Sequence, residues 1–372
     1  MGLNMEQFDF IAPFYSQEHT PDSLLSGLDS LLTDRDFFVR IIPLGCQRTG
    51  FRWLEAVSSD SRRIEVVYEN EMLALYSLSY VFREHGDERS GTGHFFLVHH
   101  PQFRDVRILF AIDSGVFYHR ILNPLIRSLH PSFLMTFITH RKLRRLLESF
   151  KEEGNFDSLT IKRASQRFRY GSAPHRGNVM PVVSWPGMEM EEAFEWVYEN
   201  NGWFQSLEFE ASRVKEVPAI VGLTRQGSMK SNRLLRLAYQ CFTLPISKTI
   251  HENLAFFRNR GRQENPDLNI RPLAVTFEAN VFANVAENAK FVEAMRSMSA
   301  ASISVVHGNP YIHMSLIDYL DGSTFDIWAV EEDRLVIVPQ MKASIPSIKR
   351  LINHIFDNYA EGRMSDFEAY AS

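Results

Sequence analysis

The sequence predicts an α+β fold, in which antiparallel sheets pack with helices. In the last hundred residues, four apolar, β-rich segments at 302–306, 311–319, 324–330 and 334–338 are separated by the turn sequences HGNP, DGST and EED. A segment with helical spacing follows them, with apolar side chains at Ile348, Leu351, Ile352, Ile355, Phe356 and Tyr359. A meander covered by helices on one face is the simplest packing for this order of elements.

Two further elements precede this meander. Residues 271–279 (RPLAVTFEA) favour a strand, and residues 284–298 (NVAENAKFVEAMRSM) have the spacing of a helix. We therefore expect a C-terminal α+β domain at 271–372.

The N-terminal part repeats the same pattern. IEVVYENEMLALYSLSYV begins at Ile64 and ISVVHGNPYIHMSLIDYL begins at Ile303, and the two segments align with a one-residue shift before Ser77 and Ser315. Each segment continues into a hairpin and then a helix, near 116–129 in the first half and 345–360 in the second. We expect an N-terminal α+β domain at 1–130 and a possible internal duplication of a four-strand meander plus helix.

A central basic α/β segment is predicted at 131–270. Its helices are expected at 140–153, 190–200 and 244–260, and its strands at 133–139, 158–171, 203–213 and 218–225. The stretch between Ser172 and Gly187 contains three prolines and is interpreted as a loop with a short strand at most.

Length and composition limit the class of protein. The chain has 372 residues, which is enough for two or three domains. It has two cysteines, so a disulfide framework or a thiolate zinc site is not expected, and no cofactor is predicted. We see no secretory signal and no apolar run that spans a bilayer, so a cytoplasmic protein without membrane contact is expected.

The net charge of −5 conceals two basic blocks in an acidic chain. Residues 119–176 carry twelve basic and four acidic side chains, and residues 212–272 carry eleven and four. The segment between them, 177–211, carries seven acidic side chains and no basic one. A positive surface for an anionic polymer is one interpretation, and clustering on solvated faces is the other.

The helix predicted at 140–153 (HRKLRRLLESFKEE) has its charges in the unfavourable order. Arg141, Lys142, Arg144 and Arg145 fall in the first two turns and the glutamates come later, although the helix dipole favours the reverse order. Leu143, Leu146, Leu147 and Phe150 form one apolar stripe that docks on a core, and Thr139 is the expected N-cap. Helix stability does not explain this order, whereas a bound phosphate does.

The following strand is also basic. Arg163, Ser165, Arg167 and Arg169 alternate, so they share one face of the strand. Their partner is expected to be either a nucleic-acid backbone or the acidic segment 187–210 of the same chain. The turn 222–233 (GLTRQGSMKSNR) adds Arg225, Lys230 and Arg233. It lacks the P-loop spacing, because Ser228 and Met229 separate Gly227 from Lys230, so a basic turn is preferred.

Neither metal binding nor catalysis is favoured by these patterns. His94, His100 and Asp105 lie near one predicted hairpin, but the two histidines are too far apart along a strand to share an ion. The carboxylates between Asp318 and Asp333 fall largely in turns, where acidic residues are common. Trp196 and Trp203 lie among glutamates, so they are interpreted as core residues or as a face for a partner protein.

These patterns predict a non-catalytic nucleic-acid-binding component of an intracellular multi-protein assembly. The expected phosphate contacts are Arg141, Lys142, Arg144, Arg145, Arg163, Arg167, Arg169, Arg225, Lys230 and Arg233. The first alternative is a protein–protein scaffold or adaptor, or a homo-oligomer, that binds its partner through Trp196 and Trp203. The second alternative is a metal-dependent nuclease or nucleotidyl enzyme.

Overall fold

The computed structural model describes residues 19–34, 37–46, 48–84, 87–112, 116–130, 132–168, 179–258, 260 and 271–367. The side chains at positions 33, 34, 179–186 and 330 lie outside this description. The predicted α+β class is confirmed, because the strands form two antiparallel sheets that pack with helices.

Eight α-helices lie in the described residues. They are α1 (Pro21–Asp34), α2 (Asn123–Ser128), α3 (His140–Glu153), α4 (Met190–Glu199), α5 (Leu235–Ala238), α6 (Leu244–Arg258), α7 (Val285–Arg296) and α8 (Ile345–Asn358). A 3-10 helix spans Arg52–Val57, and π-helical turns at Phe117–Leu122 and Tyr239–Thr243 lead into α2 and α6. None of these helices has the length and apolar character needed to cross a bilayer.

The strands are numbered in chain order. They are β1 (Val39–Cys46), β2 (Arg62–Glu69), β3 (Leu73–Glu84), β4 (Asp87–His99), β5 (Val106–Ile112), β6 (Phe133–Leu134), β7 (Ser158–Phe168), β8 (Val179–Glu189), β9 (Gly202–Ser212), β10 (Ala219–Thr224), β11 (Met229–Ser231), β12 (Leu273–Phe277), β13 (Ala301–His307), β14 (Ile312–Asp318), β15 (Ser323–Glu331), β16 (Arg334–Pro339) and β17 (Gly362–Asp366). The larger sheet has the order β2-β3-β4-β5-β1-β11-β10-β9-β7-β8, with β6 paired to β1. The smaller sheet has the order β13-β14-β15-β16-β12-β17.

The chain forms two compact units. The first comprises the described residues of Met1–Ala164, Val183–Ala193 and Gln205–His251, and the second those of Ser165–Val182, Phe194–Phe204 and Glu252–Ser372. The segments predicted as N- and C-terminal domains, 1–130 and 271–372, each fall within one unit. The segment predicted as a central domain, 131–270, is divided between both units.

Two predicted elements of the central segment are wrong. The strand predicted at 133–139 is only two residues long, Phe133–Leu134. The segment interpreted as a loop contains the eleven-residue strand β8, which includes Pro181 and Pro186. This strand lies at the end of its sheet, where a residue without an amide hydrogen is tolerated because no further strand needs it.

In the first unit, the sheet β2-β3-β4-β5-β1 packs one face on a helix. Tyr76, Phe95, Leu97 and Leu109 from its strands are buried in one cluster with residues of the segment 117–128. The opposite face is also buried: Leu75, Phe96, Phe110 and Ile41 form a continuous cross-strand row. The Phe110 ring contacts the ring of Tyr239 at a centroid distance of 6.2 Å, so helical segments cover this second face.

In the second unit, the sheet is covered on one face by α7 and α8. Phe291 on α7 packs its ring against Tyr359 at the end of α8, with 4.9 Å between centroids. Arg350 on α8 donates two hydrogen bonds of 2.9 Å to the buried carboxylate of Asp318 at the end of β14. The inward alternation of Ile312, Met314 and Leu316 supplies the apolar surface for this packing.

The two meanders share strand order and register. Ile64 pairs with Leu78, and Ile303 pairs with Leu316, which is the correspondence that the sequence alignment predicts. A β-bulge lies between Val66 and Tyr68 in β2 and between Val305 and His307 in β13, at aligned positions. The arrangement is therefore the same in both halves, and its origin by duplication stays a prediction.

Candidate nucleic-acid interface

The helix α3 has the bounds that the sequence predicts, His140–Glu153. Thr139 is its N-cap, and the Thr139 hydroxyl accepts a hydrogen bond from the Lys142 amide at 3.3 Å. Leu143, Leu146, Leu147 and Phe150 are all buried. Docking of this stripe on the core turns Arg141 and Arg145 to the surface, where both side chains are exposed.

A second helix adds a cation beside this turn. The Lys142 ammonium donates a hydrogen bond to the Thr249 hydroxyl on α6, and Thr249 in turn donates to the Pro245 carbonyl at 2.9 Å. Lys248, the neighbour of Thr249, is exposed. Lys142 therefore joins the first turns of α3 to this part of α6, and we call the basic residues of these two segments the α3–α6 basic surface. Its members are Arg141, Lys142, Arg145 and Lys248.

His251, three residues after Lys248 on α6, belongs to a stack of three aromatic rings. The Phe103 ring stacks on His100 and on His251, with centroid distances of 4.6 Å to each. His100 is buried, whereas 39% of the His251 side chain is exposed. Burial and the nearby charge of His251 lower the pKa of His100 to about 4, so His100 stays neutral at physiological pH.

The position of the His251 ring is fixed by a carboxylate. His251 Nδ1 donates a hydrogen bond of 2.7 Å to Oδ1 of Asp105, which is buried. The loop that carries Phe103 and Asp105 is fixed by Arg107, whose Nη1 donates to the Arg104 carbonyl at 2.8 Å. Arg104, which follows Phe103 in this loop, is an exposed cation.

The basic residues on β7 have a different environment. Arg163 Nε lies 3.9 Å from Glu208 Oε1, and Lys162 Nζ lies 3.3 Å from Glu210 Oε2. Lys230 Nζ also contacts Glu208, with 2.7 Å between Nζ and Oε2. Glu208 and Glu210 belong to the acidic segment 187–210, so the structure favours the intramolecular alternative for these cations. Charges already paired within a sheet are weaker candidates for phosphate contacts.

Other arginines of the predicted set are used within the fold. Arg167 Nη1 donates to the Asp357 carbonyl at 2.8 Å and to Asn358 Oδ1 at 3.1 Å, at the C-terminus of α8. Arg144 Nε pairs with Glu148 Oε1 at 2.9 Å along α3. Arg233 is half-buried after β11. Arg169 lies outside the described residues.

The prediction of a phosphate contact at Arg225 is wrong. Its side chain is 1% exposed, and its guanidinium lies 4.0 Å from the centre of the Phe137 ring. Arg225 Nε donates to the Ile138 carbonyl at 3.1 Å. The segment 222–233 is a hairpin of β10 and β11 with Gly227 at a φ of +81°, so the interpretation as a turn rather than a P-loop is confirmed.

The two tryptophans do not form one exposed partner face. Trp203 is 5% exposed, which makes it a core residue rather than a contact residue. Trp196 is 37% exposed and packs edge-on against Phe168 at a centroid distance of 6.3 Å. The prediction of a joint hot spot is therefore wrong for Trp203, because a buried ring is not accessible to a partner.

No family model, curated protein or solved structure matches this chain. Within the described ranges, no group of three or more His, Cys, Asp or Glu side chains is arranged to hold a metal ion. The candidate site is therefore defined by its own geometry: the α3–α6 basic surface and the adjacent ring stack of His100, Phe103 and His251.

Sequence reasoning missed Arg104, Phe103, Lys248 and His251. Lys248 and His251 are three residues apart on a predicted helix, so the sequence indicates that they share a face. The contact of His251 with Asp105 joins residues 146 positions apart, and no local pattern indicates it.

Proposed function

We propose that this protein binds nucleic acid without catalysis, through phosphate contacts on the α3–α6 basic surface. The observation that supports this proposal best is the anchoring of Lys142 on Thr249. That bond joins α3, which carries the exposed arginines Arg141 and Arg145, to α6, which carries the exposed Lys248.

The charge order of α3 supports the same proposal. Cations near a helix N-terminus oppose the helix dipole, at a cost of about 0.3–1 kcal/mol each. A phosphate at this surface would bind the side-chain cations and also lie favourably at the positive end of the helix. The unfavourable order is then explained by the bound polymer rather than by the stability of the free protein.

The cations that face Glu208 and Glu210 have no direct role in this proposal. Arg163, Lys162 and Lys230 are within ion-pair distance of Glu208 or Glu210, so a phosphate would have to displace a carboxylate. The contacting set is therefore smaller than the sequence predicts. Four phosphate contacts predict a slope of log K against log salt of about −3 to −4, or about a 50- to 150-fold loss between 50 and 200 mM salt.

Fluorescence anisotropy with labelled DNA and RNA across this salt range tests the proposal. The double substitution Arg141→Glu and Arg145→Glu should weaken binding at least about 10-fold and reduce the salt slope by about half. Arg63→Glu is the matched control, since Arg63 is an exposed arginine of the same unit that pairs with Glu65. If the wild-type protein binds no polymer at 50 mM salt, or if the control weakens binding equally, the proposal is wrong.

A protein adaptor is a second candidate, favoured by the outer face of the C-terminal sheet. His313 and Trp328 stack there at a centroid distance of 3.7 Å and are only half-buried, and Ile317 is exposed nearby. In the first unit the corresponding row is covered by a helical segment that carries Tyr239. The occupant that fits this face is therefore a helix with an apolar stripe from a partner protein.

Isolation of the protein with its partners, followed by Trp328→Ala, tests the second candidate. The substitution should release the partner, while Trp196→Ala should leave the complex unchanged, because Trp196 is not part of this sheet. A complex that survives Trp328→Ala would contradict this candidate.

A further inference from the structure

The ring stack beside the basic surface runs from the interior to the solvent. His100 is its buried end, with 5% of the residue exposed, and Phe103 is its middle member. His251 is the outer member, and Phe103 covers one face of its ring with an interplanar angle of 14°. The stack is nearly parallel throughout, since the angle between His100 and Phe103 is 24°.

The outer ring is held in place from its edge rather than from its face. The hydrogen bond from His251 Nδ1 to Asp105 Oδ1 lies in the plane of the imidazole, so it fixes the ring without covering it. Asp105 is itself fixed by its backbone, because its carbonyl accepts a hydrogen bond of 2.8 Å from the Cys46 amide in β1. The stack is therefore tied to β1 through Asp105, and 39% of its outer side chain, His251, is exposed to solvent.

Two exposed cations belong to the segments that carry this stack. Lys248 precedes His251 by three residues and shares its face of α6, and Arg104 follows Phe103 in the supporting loop. Both side chains are exposed. A flat aromatic face with flanking cations is the arrangement with which proteins bind unpaired bases, because the base stacks while the adjacent phosphates contact the cations.

We infer that an unpaired nucleobase extends this stack on His251, so that the preferred ligand is single-stranded nucleic acid. This inference rests on the proposed function and names the form of polymer that the basic surface takes. A duplex has its base faces already stacked on neighbouring pairs, so it offers phosphates to Lys248 and Arg104 but no face to His251.

Three ligands of equal length separate stacking from phosphate contact. They are a labelled single strand, its duplex, and a single strand with abasic sites in place of the bases, each titrated by anisotropy at fixed salt. The wild-type protein should prefer the single strand over both others. His251→Leu should weaken binding of the single strand about 5- to 150-fold and leave binding of the abasic strand unchanged.

His251→Phe is the conservative variant and should retain most of the preference, because it keeps a ring of similar size over Phe103. Thermal unfolding of both variants checks that they fold. Equal weakening of the single strand and the abasic strand by His251→Leu would overturn the inference while leaving the proposed function intact. Equal wild-type affinity for the single strand and the duplex would do the same. Absence of wild-type binding to all three ligands would instead overturn the proposed function.

Discussion

The two sheets share one strand order, but their outer faces differ. In the first unit the cross-strand row Leu75, Phe96, Phe110 and Ile41 is fully buried beneath helical segments. In the second unit the row at the corresponding register is His313, Trp328, Val336 and Ala274, and its first two members are half-buried. One arrangement of strands therefore supports a two-sided core in one unit and a partly open sheet in the other.

The residue types of the two rows account for this difference in burial. The buried row is entirely apolar, as expected of strands that are covered on both faces. In the open row, neighbouring positions carry polar groups: Ser315 donates to Asp326 Oδ1 and Gln340 donates to Asp326 Oδ2, both at 2.6 Å. These hydrogen bonds satisfy the Asp326 carboxylate, so polar side chains on this face take positions that a fully covered face fills with apolar ones.

The largest expected effect is the loss of stability on truncation of Phe96, compared with truncation of Trp328. Phe96→Ala should lower the free energy of unfolding by about 3–5 kcal/mol, because it leaves a cavity in a closed core. Trp328→Ala should cost under about 2 kcal/mol, because the surrounding sheet face is open to water. Urea unfolding followed by circular dichroism measures both. Equal costs would show that the two faces are energetically alike and would break the comparison.

Substitution of a buried lysine should have an effect of similar size. Lys349 on α8 is buried, and no hydrogen-bond partner for its Nζ lies among the described residues. The helix 117–128 of the first unit instead buries apolar side chains such as Ile121 and Leu125. Lys349→Met should therefore raise the free energy of unfolding by about 3–5 kcal/mol at pH 6, where the folded wild-type protein buries a protonated ammonium.

The pH dependence of this gain has a defined sign. Burial lowers the pKa of Lys349 to about 7, whereas the unfolded chain keeps a value of about 10.4. Between these values the unfolded chain binds more protons, so the wild-type protein gains stability as pH rises from 7 to 10. The difference between wild type and Lys349→Met should be largest below pH 7 and shrink above it. A difference that does not change between pH 6 and pH 10 would contradict this account.

The smallest expected effect concerns the order of charged residues along two helices. α7 has Glu287 in its first turn and Arg296 in its last turn, as the helix dipole favours, whereas the first turn of α3 has no acidic residue and carries Arg141 and Lys142. Arg141→Glu should stabilise the free protein by about 0.3–1 kcal/mol and at the same time weaken binding of nucleic acid. Thermal unfolding at low salt measures the first effect. A destabilised Arg141→Glu would show that Arg141 serves the fold rather than a ligand.

Local sequence patterns are sufficient to predict much of the fold. The N-cap at Thr139 and the stripe from Leu143 to Phe150 predicted α3 with the observed bounds, because both signals lie within one helix. The one-residue shift in the alignment of the two halves also has a structural counterpart, since both strands bulge at the same place. β8 was missed because its prolines indicate a loop unless the strand is known to lie at an edge.

The candidate site was less predictable, because it depends on pairs that are distant in sequence. The alternation of Arg163 and Arg167 places both side chains on one face of their strand. The sequence leaves open whether their partner is a phosphate or a carboxylate such as that of Glu208. Arg225 was counted as a surface cation, since nothing near it in the sequence shows that Phe137 and Ile138 enclose it. The ring stack combines a loop at 100–105 with a helix that begins at Leu244.

The division of the chain has a consequence for biosynthesis. The first unit draws on three stretches of chain, and the last of them ends at His251. A ribosome must therefore deliver about two thirds of the polypeptide before this unit has all its parts, even though β1 to β5 emerge early. The last residue to arrive is also the outer ring of the stack. A nascent chain thus lacks the proposed base-binding surface until about two thirds of the polypeptide has been made.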